Sequence, residues 1–197
     1  MDTAFRLFPH EREWLESLGP LRIGIDPDWP PLESLGEGGV HEGIISDYLA
    51  LIQKDLRISL DYVGTRSWSD TMDKAARGEL DIVPGLNDLP QRRAFLTFTE
   101  PYIQMPLVIA ARKDAGYIGG LDSLRGKSVG VVEGYAVNRI LFQEYPDIRF
   151  VTFSNIKEAL EALEYRQVYS VVQSNLVLSY YMKFLGLDSL QIVAPTP

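Results

Sequence analysis

Two segments and two tryptophans of this sequence carry groups able to hold a small charged solute. Gly85-Leu86-Asn87-Asp88-Leu89-Pro90-Gln91-Arg92-Arg93 ends an apolar run in a polar, proline-bearing loop with two adjacent guanidiniums. Loops at strand ends are where open α/β sheets place ligand groups, although two adjacent arginines equally suit a solvated surface. Val132-Glu133-Gly134-Tyr135-Ala136 sets a glycine between a strand and a helix. Exposed N–H groups and the helix dipole favour an anion there, and simple turn geometry accounts for the same glycine. Trp29 and Trp68 each follow a strand and suit either a core anchor or a flat stacking surface.

Other chemistries find few residues to carry them. The chain has no cysteine and two histidines, so disulfides, zinc-thiolate sites and cysteine nucleophiles are excluded. His10 lies in a polar leader and His41 in a glycine-rich turn, without metal-ligand spacing or a Ser-His-Asp arrangement. We therefore expect no metal, no cofactor and no catalytic residue. With 46% apolar and 23% charged residues in 197, the chain is globular and long enough for one or two compact units. A net charge of −8 argues against nucleic acid, whose phosphates demand clustered Lys and Arg. No apolar run approaches the roughly 18 residues of a bilayer span, and Met1 to Pro9 lack the cationic start of a signal peptide.

The elements that must position these residues follow from periodicity. Trp14, Leu15 and Leu18 predict a short leading helix stopped at Gly19-Pro20, and Leu21 to Ile25 a buried strand. Asp26 to Pro31, with three prolines, reads as a rigid loop. Ile44, Ile45, Tyr48, Leu49, Ile52 and Leu56 recur at helical spacing; a strand around Leu60, a helix from Ser67 to Arg77 and a strand from Leu80 to Pro84 follow. A second series starts with strands at Met105 to Ala111 and Lys127 to Val132 and a helix from Gly134. It continues with a strand to Phe153, a helix capped by Asn155 and Glu158, a strand at Val168 to Val172, a helix to Leu185 and a strand at Gln191 to Ala194. Alternation of this kind means α/β units with mainly parallel sheets.

Leu21 to Asp26 with Trp29-Pro30-Pro31-Leu32-Glu33, Gly43 to Tyr48, Trp68, Gly78 to Val83, Arg92, Phe98-Thr99-Glu100-Pro101-Tyr102, Leu121 to Gly130 and Val132 to Gly134 stand in an order and spacing that resembles the family 3 extracellular solute-binding proteins. The leading Glu11 to Leu15 and the tail from Ser174 to Leu190 look most like the Venus-flytrap sensor domains of bacterial membrane histidine kinases and diguanylate cyclases. The resemblance implies a two-lobed α/β periplasmic-binding fold with a hinge: a leading helix at 1–19, lobe one at 20–108, lobe two at 109–190 and the start of a return crossover at 191–197. In the family a further strand and helix return toward lobe one; the sequence ends at Pro197, so that segment is expected to be missing.

The resemblance also assigns positions. Aromatics matching Trp29 and Trp68 flank the ligand, backbone groups matching Gly85 to Asn87 hold its ammonium, and the arginine matching Arg92 holds its carboxylate. Tyr135 and Ala136 match a helix start that gives N–H groups to the same carboxylate. Two positions depart from the pattern: a threonine beside the arginine is Leu89, and the aspartate that pairs with the ammonium aligns with Ser174. A neutral serine cannot offset the desolvation of a buried ammonium as a carboxylate would. The expectation is a periplasmic or extracellular sensor domain for a small, anionic metabolite, acting on a kinase or cyclase of the same polypeptide. The alternatives are a solute-binding protein delivering to an ABC permease, a periplasmic dehydratase, and a lobe pair that signals without ligand.

Overall fold

The computed structural model describes residues 7–133 and 135–196. The chain divides into two compact units, Met1–Thr99 and Glu100–Pro197. The division falls ahead of the boundary expected at 108/109 because that boundary lies within a strand, Leu107–Arg112, which pairs along its length inside the second unit.

In the first unit a leading helix, α1 (Pro9–Ser17), buries no residue and leaves Trp14 exposed; Arg12 Nη1 ties it down by donating to Leu56 O at 2.8 Å. Strand β1 (Leu21–Ile23) ends the polar leader. The segment Asp26 to Pro31, expected as loop, instead contains strand β2 (Asp28–Trp29), the first of a small antiparallel sheet completed by β3 (Glu33–Leu35) and β4 (His41–Glu42). Proline stops neither β2 nor β3 because Pro30 and Pro31 sit in the turn between them, where no ladder donor is needed. Helix α2 (Ile44–Leu56) buries Ile45 and Leu49, as its period predicts. Strand β5 (Leu60–Tyr62) pairs in parallel with β1, and α3 (Trp68–Ala76) buries Thr71 and Ala75. Residues 80–84, expected as a strand, make only a single parallel bridge, Ile23 to Ile82.

The second unit is a five-stranded sheet. Strand β6 (Leu107–Arg112) opens it, β7 (Ser128–Val132) leads to α4 (Ala136–Glu144), β8 (Arg149–Phe153) to α5 (Ile156–Glu164), and β9 (Ser170–Ser174) to α6 (Asn175–Phe184) and β10 (Leu190–Pro195). The order is β10-β6-β9-β7-β8. The βαβ series β7, β8 and β9 pairs in parallel, while β6 runs antiparallel to both β9 and β10. Ile109, Leu124, Val129, Val131, Leu141 and Val172 form its core. Asn155 caps α5 by accepting from Glu158 N at 2.9 Å, and five of that helix's nine residues are buried.

Candidate functional site

The first unit holds five of the expected site residues in two contacting groups, Trp29 with Gly85 and Arg92 with Trp68 and Asn87. Gly85 has φ +64°, and a Cβ there would fall 2.5 Å from Ile45 Cδ1, 3.4 Å from Glu33 Oε1 and 3.4 Å from Trp29 Cζ3. Only glycine tolerates both that backbone and that approach, so Trp29, half-buried on β2, lies directly against the Gly85 backbone. Trp29 is also paired across the small sheet with Glu33.

Arg92 opens a short 3-10 turn, Arg92–Ala94. Its guanidinium carbon sits 5.6 Å from the centre of the Trp68 ring, and Nη1 donates to Asn87 O at 2.9 Å. A cation over an indole face is attracted by the ring quadrupole. Partial burial pulls the Arg92 guanidinium below its ordinary value. Arg93 differs in every respect: it is exposed, and Nε and Nη2 reach Asp88 Oδ1 and Oδ2 at 2.8 and 2.5 Å. The two neighbours thus divide into one arginine against an aromatic ring and one committed to a surface carboxylate. Trp68 is held at the first turn of α3, whose N-cap, Ser67, accepts from Asp70 N at 3.2 Å.

In the second unit, Tyr135 is the N-cap of α4 with extended backbone, and Ala136 is the first helical residue. Gly134, expected at that turn, lies outside the described residues. Ser174 ends β9 and caps α6: its hydroxyl accepts from Val177 N at 3.4 Å, and its own N–H donates to Gln173 Oε1 at 2.7 Å. The residue is almost fully buried.

Three acidic or basic groups that sequence reasoning passed over lie under the Trp29 and Gly85 surface. Glu33 is fully buried, its Oε1 accepts from Asp26 N at 2.9 Å, and its Oε2 lies 3.4 Å from His41 Nε2. His41, read as part of a polar turn, is buried on β4 against the Tyr62 ring, centroids 5.0 Å apart. No local signal could have found this pair, because β3 and β4 are three and two residues long, too short for alternation to register. Burial pushes the Glu33 carboxyl up. It also lifts Asp26 to about 6, with Glu33 and Asp28 repelling in the same sense.

The Asp26 shift makes a stability prediction. A carboxyl raised in the folded chain adds stability that is full below its ordinary value near 3.8 and is lost as pH rises through about 6. A difference of about two units is worth about 3 kcal/mol. Asp26→Asn retains an acceptor for Asp28 N–H, which Asp26 Oδ1 now takes at 3.0 Å. The variant is expected to be more stable than the parent at pH 7, by up to about 3 kcal/mol, and equal to it below the ordinary carboxyl range. Urea unfolding at the two pH values checks this; equal stability at pH 7 refutes it.

This α/β fold and the order of its site segments define a class of solute-binding protein. The chain belongs to the bacterial extracellular solute-binding proteins, family 3, which match residues 21–182. It is 26% identical over 184 residues to the virulence sensor protein BvgS of Bordetella pertussis, covering 93% of this chain and 15% of that protein. It is 22% identical to ABC transporter arginine-binding protein 1 of Escherichia coli K12, over 83% of this chain and 66% of that one. The crystal structure of the periplasmic VFT2 domain of Bordetella pertussis BvgS superposes with a TM-score of 0.84 at 25% identity, covering 96% of this chain and 81% of that chain. The fold is therefore the Venus-flytrap, periplasmic-binding type, and the family is one of solute-binding proteins. Among the described residues no helix is long and apolar enough to cross a membrane.

Proposed function

We propose that this chain is a periplasmic or extracellular sensor domain that binds a small carboxylate-bearing metabolite and passes binding to a membrane-anchored kinase or cyclase, without catalysis of its own. One observation carries the ligand class: the half-buried Arg92 guanidinium lies against Trp68 and, among the described residues, forms no ion pair with a carboxylate, whereas Arg93 does. A partly desolvated guanidinium gains most from a planar anion that takes two of its donors at once. Trp68 and Asn87 touch that group and Trp29 lies against Gly85; the family resemblance implies a ligand-binding role for these four, and for Tyr135, Ala136 and Ser174 of the second unit. The ammonium side is weaker, because Ser174 offers no charge and its hydroxyl already caps α6.

A thermal-shift panel tests the ligand class. A solute at 100 times its Kd stabilises by about 2.7 kcal/mol. Carboxylates lacking an ammonium, and aromatic acids able to stack on Trp29 and Trp68, are expected to raise the melting temperature. Shifts confined to basic or neutral amino acids reject the ligand class. The similarity to an arginine-binding transport protein supports a second reading, a solute-binding protein that delivers to an ABC permease. A membrane span and signalling domain encoded downstream decide for the sensor, and a nearby stop codon for the transporter.

A further inference from the structure

Glu33 and His41 are two buried ionisable side chains that the Arg92 reading leaves unused. They come from neighbouring strands, β3 and β4, and their side chains are 0% and 2% exposed. Glu33 Oε2 faces His41 Nε2 at 3.4 Å, and neither that oxygen nor either ring nitrogen of His41 has a hydrogen-bond partner. The other carboxylate oxygen receives the Asp26 N–H and lies beside Gly85 and Trp29. One carboxylate therefore touches both the histidine and the residues that form the solute-binding surface.

The surroundings restrict what this pair can do. From the loop after β1 it faces Asp26, with Asp28 of β2 beyond; from β5 it faces Tyr62; α2 contributes the apolar Ile45. No lysine or arginine offsets a net charge there among the groups described. A sealed acid–base pair is least costly with one proton between its members, as carboxylate with imidazolium or carboxylic acid with imidazole, and such groups titrate as a unit. Moving a proton onto or off the pair changes the charge on the oxygen that holds Asp26 N–H. A hydrogen bond to an ionised acceptor is roughly twice as strong as one to a neutral acceptor.

We propose that Glu33 and His41 act as a proton-sharing positioning pair beneath Trp29 and Gly85, and that the number of protons they hold sets the placement of the Asp26 to Trp29 segment. Its consequence for solute affinity rests on the binding roles given above to Trp29 and Gly85. Its effect on the segment does not, and is tested without a solute.

The test is a pH titration of the full chain by NMR, from about pH 5 to 8, the range in which histidine pairs change charge. His10, exposed on α1, and the indole of Trp14, also exposed, are internal controls. The expected result is that the Trp29 indole N–H shifts with the same midpoint as the His41 ring, while Trp14 does not follow it; the Asp26 amide is not read, because its own carboxyl, lifted to about 6, changes charge in the same range. In His41→Gln and in the isosteric Glu33→Gln the Trp29 shift is lost, and in Asp26→Asn it persists. A Trp29 signal that ignores pH, that has a midpoint different from the His41 ring, that moves unchanged in His41→Gln, or that is lost in Asp26→Asn overturns the proposal. The wild-type midpoints decide even if a variant does not fold. Failure here leaves the solute panel standing, and failure of the panel leaves this titration standing.

Discussion

Arg92→Ala is expected to weaken binding of a carboxylate solute by at least about tenfold, while Arg93→Ala changes it by less than about twofold. Among the described residues, Arg92 spends one N–H on Asn87 O and sets its guanidinium over the Trp68 ring, which keeps the group placed with donors still available to a solute. A hydrogen bond to a charged group contributes about 1.5 to 3 kcal/mol, and tenfold in affinity is 1.4 kcal/mol. Arg93 already satisfies Asp88 at the surface, where an exposed pair contributes little and is remote in role. Arg92→Lys separates charge from shape: the ammonium keeps the charge but loses the fork and the stack, so an intermediate loss is expected. Calorimetry with a carboxylate identified by the thermal-shift panel reads all three. Equal effects of the two alanine variants, or a larger effect at Arg93, reject the assignment.

Singling out Arg92 rested on the family resemblance, while the contrast with Arg93 comes from their different contacts, one with the Trp68 ring and one with Asp88. Helices were legible for a different reason. The apolar period of α2 and the Asn155 to Glu158 cap of α5 are local signals, and local signals survive folding. The stretch from Asp26 to Glu42 was not legible, since strands of two or three residues show too few positions for alternation to register, and prolines and glycines dominate its composition. Glu33 was quoted as part of a motif and His41 as a turn residue; their pairing depends on a β3–β4 register that no spacing rule supplies. The run Leu80 to Pro84 shows the opposite error. It is apolar because Leu80 packs onto Gly24, where a Cβ would lie 2.3 Å from Leu80 Cδ1, and not because it pairs as a full strand. Ser174 is a third kind of case: alignment with a ligand-pairing aspartate pointed to the solute, while the side chain itself caps α6.

Gly43→Ala is expected to destabilise the first unit by at least about 3 kcal/mol, the largest loss from adding a single methyl group among these positions. Gly43 is the N-cap of α2 with φ +117° and ψ −179°, a region open essentially to glycine alone. A Cβ there would stand 2.4 Å from Leu32 O, 2.8 Å from Leu32 C and 3.0 Å from Glu33 Cα. All three are backbone atoms, so no rotamer change relieves the clash. The approach has a cause: Ile44 N donates to Pro31 O at 3.1 Å and Ile45 N to Leu32 O at 2.9 Å. Two N–H groups of the first turn, which a helix cannot satisfy itself, are thus taken by the segment that carries Glu33. Pushing α2 away strands those donors, uncovers the fully buried Ile45 and Leu32, and shifts the floor beneath Trp29 and Gly85. Gly64→Ala, whose Cβ meets nothing within 4 Å, is the matched control and is expected to be silent. Hydrogen exchange locates the damage. Amides of α2 should lose protection in Gly43→Ala while those of β6, β7 and β9, in a sheet with its own core, keep theirs. Unchanged protection of α2 would mean that the helix start can move away from Leu32 at little cost, and that the Pro31 and Leu32 carbonyls do not fix it.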